Sequence, residues 1–125
     1  MKKIIFSENA PKAIGPYSQA VEANGFIFVS GQLGINPQTS MLVEGIEKQT
    51  EQALKNLGEI LKAAGCSYQD VVKCTVLLDD LDNFKLMNEV YAKFFGQEAP
   101  ARAAYGVVRL PMGAMVEIEA IAVKK

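Results

Sequence analysis

Hydrophobic and polar positions change period along the chain, and the changes divide it into elements. Phe26-Ile27-Phe28-Val29-Ser30 is β-branched and aromatic, the composition of a strand. Asn24-Gly25 just before it suits a tight hairpin turn, which needs positive φ. The pattern therefore predicts a hairpin back to residues 17–23. Gly31 and Gly34 then loosen the chain, and Asn36-Pro37 marks a turn. Over 46–64 the period becomes helical: Ala53, Leu54, Leu57, Ile60, Leu61 and Ala64 fall on one face. Gly65 is a suitable stop. Val71–Leu78 reads as a strand, with Val72, Cys74, Val76 and Leu78 on one face and Lys73 and Thr75 on the other. A second helix runs from Asp82 as N-cap, with Phe84, Met87, Tyr91 and Phe94 inward, to Gly96. Two strands close the chain, over 103–109 and Val116–Val123, joined by a turn at 111–114.

The order ββαβαββ predicts an α+β fold, a mixed sheet with two helices on one face, formed by one domain over 1–125. The last strand adds a condition. Val116, Ile118, Ala120 and Ala122 share one face; Glu117, Glu119, Ile121 and Val123 share the other. With helices over the first face, the second is too apolar for water and too charged for a core. Such a face suits packing against another subunit.

Composition narrows the chemistry by exclusion. The chain has no histidine. That removes Ser-His-Asp and Cys-His nucleophile systems, histidine-ligated zinc and the two-histidine ribonuclease mechanism. Cys66 and Cys74 match no metal spacing and read as structural thiols. No metal and no cofactor are expected, and no strand–glycine-rich loop–helix unit binds a nucleotide. A net charge of −1 exerts no long-range pull on nucleic acid or an anionic membrane. No apolar run approaches the ~20 residues of a membrane helix. The short apolar run after Lys2-Lys3 meets Glu8 too soon for a signal peptide, so a cytoplasmic location is expected.

Six residues are left as candidates for a site. Arg102 follows a proline at the start of a strand, where a guanidinium grips a carboxylate through two parallel hydrogen bonds or merely forms a weak surface ion pair. Glu117 and Glu119 point to one face, as a base holding water or as a solvated stripe. Ser30 and Gly31 end a strand, where a glycine permits close backbone approach or simply a bend. Tyr17 follows Gly15-Pro16 and is either a pocket cap or a core tyrosine. If the last two strands form a hairpin, Glu117 lies opposite Val108, on the order of 20 Å from Arg102 at about 3.3 Å per residue. A site using both then lies between subunits.

The motifs Ala13-Ile14-Gly15-Pro16-Tyr17-Ser18-Gln19-Ala20, Val29-Ser30-Gly31-Gln32, Ala53-Leu54-Lys55-Asn56-Leu57, Ala63-Ala64-Gly65, Asn88-Glu89-Val90-Tyr91, Pro100-Ala101-Arg102 and Val116-Glu117-Ile118-Glu119 resemble the Rid (YjgF, reactive intermediate deaminase) family, RidA branch. The resemblance runs essentially end to end. It implies a chorismate-mutase-like fold, three copies with sheets forming a central barrel, and sites in the clefts between subunits. It implies hydrolysis of 2-iminobutanoate and 2-iminopropanoate, intermediates released by PLP enzymes, with no cofactor. On this resemblance Arg102 binds the substrate carboxylate and Glu117 positions the attacking water. Tyr17, Ser30, Gly31 and Asn88 line the site. Some relatives carry a cysteine where this chain has Ala104, so a mechanism needing that thiol is excluded. Two other readings stand beside this one: a non-enzymatic carboxylate-binding or protein-interaction module on the same fold, and an RNA-directed translation inhibitor or endoribonuclease.

Overall fold

Strands β1 (Lys3–Ile5), β2 (Ala20–Ala23) and β3 (Phe26–Leu33) open the chain in the computed structural model, which describes residues 1–125. A small hairpin of β4 (Ile35–Asn36) and β5 (Met41–Leu42) follows, then α1 (Ile46–Ala63), β6 (Val71–Leu78), α2 (Phe84–Phe95), β7 (Ala101–Gly106) and β8 (Val116–Val123). Six strands make one mixed sheet in the order β1-β2-β3-β8-β6-β7. All neighbours are antiparallel except β6 and β7, which run parallel with α2 as their crossover. This is the α+β architecture expected, with one added edge strand at the N-terminus and the small hairpin before α1.

The core lies between one sheet face and the two helices. Ile27 and Val29 of β3, Cys74, Val76 and Leu78 of β6, and Val116, Ile118, Ala120 and Ala122 of β8 meet Leu54, Leu57, Ile60 and Leu61 of α1 and Met87, Tyr91 and Phe95 of α2. α1 ends in the stop its sequence announces. Gly65 takes φ 79°, its N–H donates to the Lys62 carbonyl at 3.0 Å, and the Cys66 N–H donates to the Leu61 carbonyl at 2.8 Å. Buried Asn56 ties α1 to the sheet. Its Nδ2 donates to the carbonyls of Leu33 at 3.2 Å and Ile35 at 2.8 Å, as β3 leaves the sheet.

Four local expectations are corrected. The last two strands are not a hairpin. After β7 the chain passes β6 and enters the sheet on its far side, so β8 lies between β3 and β6 and pairs with both. Antiparallel partners on each side satisfy both edges of β8, whose alternate residues are buried. Val72 is not on the core face. The β6–β8 register shifts between Val71 and Lys73, so Val71 turns inward and Val72 outward at 46% exposure. At α2, Asp80 rather than Asp82 caps the approach. Its carboxylate accepts the Asp82 N–H at 2.9 Å, a 3-10 turn over Leu81–Asn83 follows, and Phe95 is buried more deeply than Phe94. Lastly, Ser30 and Gly31 lie within β3, not at its end.

Candidate functional site

The six residues fall into two groups. Glu117 belongs to the first, which centres on a bulge. In β3, Val29 pairs with Ala120 but Gln32 pairs with Ile118, so β3 has one residue more than β8 over this stretch. The extra residue loops Ser30 and Gly31 out of register. Ser30 is tied to the incoming chain: its N–H donates to the Gln19 carbonyl at 2.9 Å, and its hydroxyl donates to the Ser18 carbonyl at 2.6 Å. Gly31 sits under the Glu117 carboxylate, and a Cβ there would overlap it. Half-buried against this backbone, the Glu117 carboxyl is raised above its ordinary range, first by burial and then by the charge of Glu119. Tyr17 is next to Ser18, in a loop where its N–H donates to the Gly15 carbonyl at 2.9 Å; 52% exposed, it is no core tyrosine.

The second group surrounds Arg102. β7 is a sheet edge, and Arg102 pairs with Cys74 of β6, so its side chain leaves on the helix-covered face. There it meets α2. One guanidinium nitrogen donates to Asn88 Oδ1 at 2.7 Å. The guanidinium carbon lies 4.8 Å from the ring centre of Tyr91 and 5.5 Å from that of Phe84. Phe84, Asn88 and Tyr91 are spaced i, i+4 and i+7, one stripe of the helix. The helical period alone marks Phe84 and Tyr91 as core aromatics; their spacing around Asn88 is the sequence signal for this second role.

The structure does not bring the two groups together within one chain. Across β6, Arg102 is level with Cys74 and Glu117 with Leu77. Two strand spacings and three residues of rise separate their Cα atoms by roughly 14 Å. More decisively, Arg102 faces the helices while Glu117 faces away from them. The hairpin on which the sequence estimate of about 20 Å rested is absent; what keeps the two residues apart is that they lie on opposite sheet faces.

The face away from the helices is open. Phe26, Phe28 and Tyr105 stand exposed on it, beside Ile121 and Val123. A hollow of about 240 Å³ there is bordered by Phe28, Lys73, Thr75, Glu119 and Ile121. A second hollow of about 470 Å³ lies elsewhere, among Glu8, Asn9, Gln38, Glu59 and Lys62, and touches none of the six candidates. No three Cys, Asp or Glu side chains converge in a way that would hold a metal ion.

Comparison with known proteins bears on this geometry. The family model for Endoribonuclease L-PSP matches residues 7–124. The chain is 55% identical over 126 residues to a RutC family protein of Pyrococcus horikoshii, covering 100% of both. It is 54% identical over 125 residues to a mouse protein named 2-iminobutanoate/2-iminopropanoate deaminase, covering 99% of this chain and 93% of the mouse one. Among solved structures, Escherichia coli TdcF with bound serine superposes with a TM-score of 0.94 at 43% identity, over 98% of this chain and 99% of that one.

Proposed function

Since the chain belongs to the Endoribonuclease L-PSP family, we propose that it is a 2-iminobutanoate/2-iminopropanoate deaminase, hydrolysing 2-imino acids to 2-keto acids and ammonia without a cofactor. The observation that carries this reading is Arg102. Its guanidinium is held at a sheet edge by Asn88 and two rings, in a chain alike over its whole length to a deaminase of that name.

In this reading three copies pack their open sheet faces into a barrel. Exposed Phe26, Phe28 and Tyr105 are the kind of surface such packing removes from water. Clefts between copies then supply what one chain lacks, an Arg102 from one subunit beside a Glu117 from the next. Arg102 pairs with the substrate carboxylate and anchors the imine in the cleft. The protonated imine carbon is electrophilic. Glu117, its basicity increased by burial, accepts a proton from water as the oxygen adds to that carbon. The carbinolamine then collapses: its nitrogen gains a proton, the C–N bond breaks, and the hydroxyl oxygen becomes the ketone as its proton is lost. Tyr17, Ser30 and Gly31 border the same cleft beside Glu117, and Asn88 holds Arg102. Both cysteines are free and buried, and no helix is long and apolar enough to cross a membrane. A reducing, cytoplasmic setting is part of the proposal.

The test is hydrolysis of 2-iminobutanoate made in situ by a threonine dehydratase, with semicarbazide competing for the imine. Wild type should outrun the trap and Arg102→Ala should not, with kcat/KM lower by roughly 10²–10³-fold for a lost charge-assisted pair. If wild type gives no acceleration but binds 2-ketobutyrate, the carboxylate-binding module is the correct reading. The family's description makes RNA cleavage the other rival. Zero histidines and a net charge of −1 weigh against it; salt-dependent RNA binding by the pure protein would restore it.

A further inference from the structure

We propose that Tyr91 is a positioning residue for Arg102: its ring, rather than its hydroxyl, holds the guanidinium in the pose that receives a carboxylate. The inference rests on the reading of Arg102 as the carboxylate anchor. Tyr91 is 6% exposed, yet its hydroxyl has no hydrogen-bond partner of ordinary geometry. The only polar group within its reach is the Cys74 thiol, a weak partner that offers a buried hydroxyl little, so the hydroxyl does not explain a polar residue here. Cys74 is itself fully buried, and burial together with that thiol pushes the phenol upward. It therefore stays a neutral phenol, with no charge to offer Arg102.

The ring is different. It lies 4.8 Å from the guanidinium carbon, nearer than Phe84, and packs against Phe95 at 4.7 Å between ring centres. Phe95 in turn packs edge-on against Tyr68, whose hydroxyl donates to the Leu54 carbonyl at 2.7 Å. A chain of rings thus connects the interior of α1 to the guanidinium. Asn88 adds a single acceptor for one of the five donors. It sets the direction of the fork but cannot stop it swinging about that bond. A ring face beneath the guanidinium removes that freedom and leaves the outward donors unpaired for a ligand. Arg102 on an edge strand is otherwise exposed and would spread over several rotamers, each lost on binding.

This division of labour has a kinetic signature. A carboxylate held by Arg102 is held equally before and during reaction at the imine carbon. Loosening Arg102 therefore weakens binding uniformly, raising KM more than it lowers kcat. A ring that merely fills core volume would change stability and leave both constants alone.

The experiment compares wild type, Tyr91→Phe, and trifluorophenylalanine installed at position 91, which keeps ring shape but drains its π density. Two readouts are taken on the assembled protein: the Kd for 2-ketobutyrate with KM and kcat for imine hydrolysis, and the NMR shift of the Arg102 side-chain N–H, displaced upfield by a ring beneath it. Tyr91→Phe should match wild type in the shift and in Kd. The fluorinated ring should raise Kd and KM by roughly 3- to 30-fold, the range of cation–π strengths, with kcat changed less than twofold, and move the N–H toward its unshifted position. Equal Kd and shift in all three proteins would overturn the proposal, as would loss in Tyr91→Phe equal to that of the fluorinated ring. If wild type fails to accelerate hydrolysis, the deaminase reading falls, while the N–H shifts still decide whether the ring holds Arg102.

Discussion

Glu117 shows at the scale of a residue how position sets chemistry. Glu119, two places on, lies on the same face but is exposed, and only Glu117 is pressed against the backbone of a neighbouring strand. A carboxyl raised in the folded state binds its proton more tightly there than in the unfolded chain. Folding stability therefore falls as pH rises through the interval between the ordinary value and the raised one. Above that interval the ionised carboxylate is a standing cost. Glu117→Gln should then melt higher than wild type at neutral pH, with the difference vanishing below about pH 4, while hydrolysis is largely lost. Melting curves from pH 3 to 8 check the sign, and a variant less stable than wild type at pH 7 would contradict it. The acid limb of the wild-type activity profile should fall above the ordinary carboxylate range for the same reason.

At the scale of an element, the bulge in β3 is what the candidate site is built on. Without the extra residue, Gly31 would pair in the β3–β8 ladder rather than sit under the Glu117 carboxylate. Gly31 needs no unusual backbone angle: its φ is not among the positive ones. What it supplies is the space a Cβ would take from the Glu117 carboxylate. Gly31→Ala should therefore leave the circular dichroism unchanged and displace the carboxylate by an ångström or so, lowering kcat by roughly 10–100-fold. Combining it with Glu117→Gln should add little further loss, because both act through one group. Full additivity in that double-mutant cycle would separate Gly31 from Glu117. The β6 irregularity has no such companion; it interrupts the core alternation and puts Val71 inside in place of Val72.

The whole molecule decides whether these groups meet. Arg102 and Glu117 emerge on opposite faces of one sheet, so a shared cleft requires a second chain. Ile121→Asp on the open face should yield folded, inactive monomers by analytical ultracentrifugation, since the core face of β8 is untouched. An active monomer would end the between-chain reading. A sharper check mixes two inactive variants. Arg102→Ala and Glu117→Gln subunits, unfolded and refolded together, should regain about a quarter of wild-type activity if each cleft draws one residue from each neighbour. Refolding each variant alone should regain none.

Much of this was legible in the chain itself. Local periods alone marked both helices, the Gly65 stop, the Asn24-Gly25 turn and the two faces of Val116–Val123, because those features depend on residues within a few positions of one another. The mixed open face was visible for the same reason. What local pattern could not carry was pairing between distant strands. Two successive strands with a turn between them read as a hairpin, yet β8 is drawn to the centre of the sheet, where both its edges are satisfied and its apolar side packs under α1. The bulges at Gly31 and Val72 are register facts and exist only between strands. The cradle of Phe84, Asn88 and Tyr91 needed β7 to lie beside α2 before its spacing had meaning. The sequence determined which side chains share a face; the tertiary structure alone decided which faces meet, because strand order is set by the burial of the whole sheet rather than by any segment of it.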